Sequence, residues 1–347
     1  SKLEFNAKDL FAEGNAQLNL INNNRITIEQ ARLKRVLFGD NDIGMTFDNE
    51  QNNLPIVKIS GESIDLRPFL EEFFDEGISD TPPFILDIDV NRLITRSNQQ
   101  ITDVRGKLKS VSKRLEVGYL EGVLPTGKNM RVVMDSNATK RRVRIMSDDA
   151  GAFARAFDIY DDIIGGKLFI WAKLNDEKSP LKISGEINIS NYRIINTPVL
   201  AQILNIASLT GILESLQGEG IAFSNLVVPF KKEENILVID RARALGASLG
   251  IHANGSINLD NDVADIEGTI APAYVINSFI SNIPIIGEVL AGGKGEGLFA
   301  ATYTVKGELD APTITVNPLA ALTPGFLRKI FSVFEEGGVE PDFKEDN

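Results

Sequence analysis

The stretch Ile251–Pro272, IHANGSINLDNDVADIEGTIAP, decides the fold. Ile251, Ala253, Gly255, Ile257 and Leu259 fall on one phase of a two-residue period, and His252, Asn254, Ser256, Asn258 and Asp260 on the other. Past Asn261-Asp262 the alternation resumes, with Ala264, Ile266, Gly268 and Ile270 against Asp265, Glu267 and Thr269. Side chains of a strand alternate between the two faces of a sheet, so this pattern predicts an antiparallel hairpin with one dry and one wet face.

Working outward, the same alternation returns in LFAATYTVKGELDAPTITVNP. There Phe299, Ala301, Tyr303, Val305 and Leu309 form an apolar row, and Thr302, Thr304, Lys306 and Glu308 face away. Upstream, KISGEINIS puts Ile187 and Ile189 on a comparable row. The first part of the chain reads as successive short strands with polar turns, a meander. Two helices are expected within it, at 65–77 and 149–165, the first from Pro68 near its start and the second from Asp148-Asp149 before it and Gly165-Gly166 after it. Further helices are expected at 198–216, from a broad apolar stripe, at 273–291, and at 323–335. The last has Thr323 as N-cap and Pro324 in its first turn. The resulting division is 1–190, a groove-forming β-meander with inserted helices; 191–337, a region with three helices; and 338–347, an acidic tail.

Glycine recurs on the dry phase at Gly61, Gly106, Gly185, Gly255 and Gly307. Such glycines mark a bend, a bulge or a close approach to the backbone. A sheet that curls around a ligand is one explanation, and ordinary curvature over a packed helix is the other.

Composition narrows the chemistry. The 347 residues carry a formal net charge of -12, the wrong sign for a surface that neutralises phosphates of nucleic acid. With no cysteine there is neither thiol catalysis nor a Cys-ligated metal, and the single histidine, His252, excludes a multi-His metal site and argues against a His-based triad. The Gly292–Gly297 run GGKGEG departs from a phosphate loop, because Gly295 stands where Ser or Thr would follow the lysine. The carboxylate pairs Asp87/Asp89 and Asp161/Asp162 have nothing that sets one member apart as an acid. No catalytic residue, metal ligand or cofactor site is nominated. The interval from Arg105 to Arg144 is markedly basic, which fits either a solvated outer face or attraction for anionic headgroups.

Several segments together carry a family resemblance: ISGESIDLRPFLEEF, NYRIINTPVLAQILNIASLTGILESLQGEGIAFSNLVVPF, LVIDRARALGASLGIHANGSINL and VKGELDAPTITVNPLAALTPGFLRKIF. They resemble the C-terminal region of the AsmA-like proteins, in the large branch typified by YhdP and more distantly related to TamB. That resemblance implies an elongated, gutter-like β structure in the Gram-negative periplasm. It further implies an inner-membrane anchor through an N-terminal segment absent from this chain, and a role in outer-membrane biogenesis by bridge-like lipid transport.

The expectation is therefore a β-rich α+β fold, an elongated, curled, antiparallel sheet forming an apolar groove, with several amphipathic helices. Expected lining residues are Ile187, Ile189, Ile257, Leu259, Ile266, Ile270, Phe299, Tyr303, Val305 and Leu309. The expected partners are phospholipid acyl chains, with a membrane surface or an envelope protein as a further partner, and no nucleic acid. Phe326, Leu327, Ile330, Phe331 and Phe334 share one face of the last helix, which can lie in a membrane interface or cap the sheet. The alternative function is a chaperone-like scaffold in outer-membrane protein assembly, holding an unfolded strand at an open sheet edge.

Overall fold

In the computed structural model, the described residues are 2–7, 10–21, 25–49, 54–67, 83–111, 114–137, 140–175, 181–273 and 300–317. The chain forms two compact units, Ser1–Asp161 and Asp162–Asn347. This division falls before the expected boundary at 190/191, because the strands on either side of residue 180 pair onward into the second unit.

Among the described residues the first unit holds ten strands: β1 Lys2–Ala7, β2 Leu10–Ile21, β3 Arg25–Phe38, β4 Asn41–Asp48, β5 Ile56–Asp65, β6 Phe84–Ile94, β7 Gln100–Val111, β8 Arg114–Val123, β9 Asn129–Asn137 and β10 Lys140–Ser147. Each pairs with the next, as the turn-rich alternation predicts. All pairs are antiparallel except β5 with β6, which run parallel. A parallel pair needs a crossover of a dozen or more residues, and the link 66–83 has that length. The predicted helix 65–77 lies largely outside the described residues.

A short helix, α1 Ala150–Ala156, follows β10. Asp149 caps it, its carboxylate accepting from Ala152 N at 2.9 Å. The helix stops well short of the predicted 165. Asp158 adopts a left-handed conformation, φ 56°, and the Asp158 and Ile159 amides donate to Arg155 O and Ala154 O. That is a Schellman closure with aspartate in the usual glycine position. The Gly165-Gly166 pair that suggested a later stop belongs to the next strand.

The second unit holds β11 Ile163–Asn175, β12 Lys182–Ile194, helices α2 Pro198–Ile206 and α3 Thr210–Gln217, then β13 Ile221–Glu233, β14 Ile236–Gly246, β15 Leu249–Asn258, β16 Val263–Pro272, β17 Ala301–Glu308 and β18 Thr313–Asn317. Its strands pair in sequence order, all antiparallel. The predicted helix 198–216 is two helices. Ser208 takes φ 58°, and Ser208 N and Leu209 N donate to Asn205 O and Leu204 O, the same closure that ends α1. The predicted helices 273–291 and 323–335, and the tail 338–347, lie outside the described residues, apart from Ala273.

The sheet is not strongly curled, contrary to expectation. Two of the recurring glycines have a local cause. A Cβ on Gly185 would stand 2.2 Å from Trp171 O, and one on Gly255 2.1 Å from Asp265 O. Glycine at these two positions lets the neighbouring strand's backbone approach closely.

Candidate functional site

Register, not any cluster of polar groups, builds the candidate site. In the first unit Ile59, Ile88, Gly106, Leu120, Val132 and Ile145 stand opposite one another from β5 to β10. Gly14, Leu33 and Met45 extend the row back to β2. One pleat away, Val57, Leu86, Leu108, Gly118, Met134 and Val143 make a second row, continued by Phe47, Ala31 and Ala16. No charged side chain stands in either row. At about 4.8 Å between strands, nine strands carry each row across roughly 38 Å. The opposite face differs: one of its rows runs Arg32, Thr46, Lys58, Asp87, Lys107, Tyr119, Val133 and Arg144.

Burial along this dry face is graded. Val90, Val104, Ile101, Leu124 and Met130 are at most 2% exposed. They lie at the margin where β6, β8 and β10 end and α1 begins, and α1 itself is almost wholly buried. Ser97, in the β6–β7 turn, ties this margin together, its hydroxyl donating to Arg155 O at 2.7 Å and contacting Ala156 O at 3.0 Å. Arg67 braces the same margin. It holds Asp65 through Nε and Nη2 at 2.8 and 2.9 Å, reaches Asn98 Oδ1 at 3.1 Å, and pairs with Asp40. Asp65 is buried, and the guanidinium beside it holds its carboxyl below the usual range. Away from that margin, most of the two long rows is only half-buried.

The second unit repeats the arrangement. Leu168, Ile189, Leu226, Ala244, Ile251 and Ile270 follow one another across its strands, ending at Ala301 on β17. Further along the strands, Phe230, Ile239, Gly255, Ile266, Val305 and Ile314 form another row. Here too one margin is closed. Leu204, Leu249 and Ile270 have no exposure, and Leu216 and Ile221 have 1%. Leu204 is on α2 and Leu216 on α3, and the sheet residues Ile221, Leu249 and Ile270 lie where β12 leaves for α2 and α3 returns to β13. Contacts of α3 with β13 and of α2 with β18 carry the helices along this margin.

The expected lining residues therefore separate into groups. Ile187, Ile257 and Ile266 are half-buried on the dry face. Ile189 and Ile270 lie on the same face, in the row at the closed margin, and are buried as protein core. Val305 is buried as well. Tyr303 lies flat across Gly268, where a Cβ would meet its Cζ and Oη at 2.4 Å, and donates to His252 O at 3.0 Å. Burial raises its phenol pKa well above the ordinary value. Leu259 and Leu309 lie past the ends of β15 and β17, in exposed turns, so strict alternation carried them one step too far. Phe299 and the helix face Phe326, Leu327, Ile330, Phe331 and Phe334 lie outside the described residues. The apolar rows of the first unit are not among the expected lining residues, although LPIVKISG and RLEVGYLEGVL carry the same alternation.

Among the described residues no group of three or more His, Asp or Glu is placed to hold a metal, and no helix is long and apolar enough to cross a membrane. The acidic pair Asp87/Asp89 lies on the outer face, with Asp89 3.7 Å from Arg105. No family model matches the chain, and no curated protein or solved structure matches it.

Proposed function

We propose that the dry faces of the two units bind hydrocarbon, and that the protein is a non-catalytic periplasmic carrier along which phospholipid acyl chains pass between the inner and outer membranes. The supporting observation is the pair of rows crossing nine strands of the first unit without a charged side chain while most of their positions stay half-buried. Hydrocarbon gains about 0.8 kcal/mol per buried CH₂ and asks for no directional partner, so an unbroken apolar strip suffices. The helix-closed margin gives each strip one packed side, leaving the other accessible to a chain whose headgroup stays in water.

Native mass spectrometry of the protein purified from cells tests this function. Adducts with phospholipid masses are expected, and their loss on substitution within a dry-face row should follow. Protein that is lipid-free from every preparation, yet retains β-barrel peptides when delipidated, would favour the chaperone-like scaffold instead.

A further inference from the structure

The outer face of the first unit carries a feature that acyl binding on the dry face does not use. On β7–β10 the outward positions include Arg105, Lys107, Lys109, Arg131, Lys140, Arg142 and Arg144 against Glu121 and Asp135, in a chain of net charge -12; on the neighbouring β6, Asp87 stands in register with Lys107 and Asp89 lies 3.7 Å from Arg105. The carboxylates are already engaged. Asp135 is 2.9 Å from Arg142 and 3.3 Å from Arg144, and Glu121 is 4.0 Å from Arg131. Lys107 and Lys109 have no carboxylate within ion-pair distance among the described residues. Between these cations stand two side chains that a solvated face would not ordinarily present, Val117 at 45% exposure and Tyr119 at 37%. Register sets Tyr119 directly between Lys107 and Val133, and Val117 opposite Lys109. The Arg131 guanidinium lies 5.9 Å from the Tyr119 ring centre.

We infer that this face docks on an anionic bilayer surface. Long cationic side chains reach a plane of negative charge without needing fixed partners, and tyrosine is favoured at headgroup depth, its ring in the apolar layer and its hydroxyl in water. An acidic protein would instead have to place carboxylates in register with the strands and seat Tyr119 in a pocket. Docking through the outer face leaves the opposite, dry face free, so the inference stands whether or not that face carries acyl chains.

Flotation of the whole chain with phosphatidylcholine vesicles, with and without phosphatidylglycerol, tests it. Binding to the anionic vesicles is expected at low salt and should fall at high salt. The double variant Lys107→Ala/Lys109→Ala should partition about 30-fold less, at about fivefold per cation. Tyr119→Ala should weaken binding further, and circular dichroism should match the parent, since all three side chains are exposed. The control Lys167→Ala, which removes an exposed lysine outside this patch, should float like the parent. Equal flotation with neutral and anionic vesicles would overturn the inference, as would a loss with Lys167→Ala as large as with the double lysine variant. Indifference to all vesicles combined with lysine-dependent retention on an acidic peptide would reassign the face to a protein partner.

Discussion

Val132→Asp separates an open apolar strip from an ordinary core. Val132 lies on β9 between Leu120 and Ile145, is half-buried, and belongs to a row without charge. Fully burying a valine is worth about 1.5 kcal/mol or more, so replacing a half-buried one should cost about 1 kcal/mol of stability. Ile101→Asp is the internal standard. Ile101 is 1% exposed at the closed margin, and an uncompensated buried carboxylate there should cost about 3–5 kcal/mol. Binding should show the reverse order of sensitivity. A hydrated carboxylate at Val132 lifts an acyl chain off one strand spacing, about four methylenes at about 0.8 kcal/mol each, or roughly 200-fold in affinity. Urea unfolding and titration with a fluorescent phospholipid measure the two effects. If Val132→Asp unfolds the protein as severely as Ile101→Asp, the row is covered core. If it leaves lipid affinity unchanged, the row is not the binding surface. Either result refutes the reasoning.

Other consequences are more local. Arg67→Ala should lower the urea-unfolding midpoint by stripping buried Asp65 of its partner. Because Asp65 is held below its unfolded value of about 3.9, its contribution is present above that pH and lost as pH falls through the folded value; acid unfolding monitored by fluorescence should therefore lose its steepest component below about pH 4 in this variant. Gly268→Ala should destabilise by about 2–3 kcal/mol, since its methyl would stand 2.1 Å from His252 O and press on Tyr303, and near-ultraviolet dichroism should report the displaced ring. Asp149→Ala should lose about 1 kcal/mol in urea unfolding through the missing cap on α1.

Much of the sheet was legible because alternation is local: Ile251–Pro272 became β15 and β16 with the faces assigned from sequence. What escaped was non-local. The parallel β5–β6 pair cannot be read from either strand, since both alternate as antiparallel strands do. The breaks at Asp158 and Ser208 rest on left-handed residues that are not glycine, whereas the conspicuous Gly165-Gly166 pair sits inside β11. The meaning of Gly185 and Gly255 depends on the strand alongside, and the closed margins arise only when helices after β10 and β12 meet the ends of strands distant in sequence. For the same reason Ile189 and Ile270 read as lining but are core, and the longest apolar rows, in the first unit, went unnominated.

A phospholipid bearing a photoreactive group on its acyl chain, cross-linked to the intact protein and mapped by mass spectrometry, tests the central claim most directly. Labels should fall on half-buried dry-face residues such as Ile88, Leu120, Val132 and Ile266, and spare Lys58, Lys107 and Arg144 on the outer face. Labelling spread equally over both faces, or absent from the rows, would contradict it.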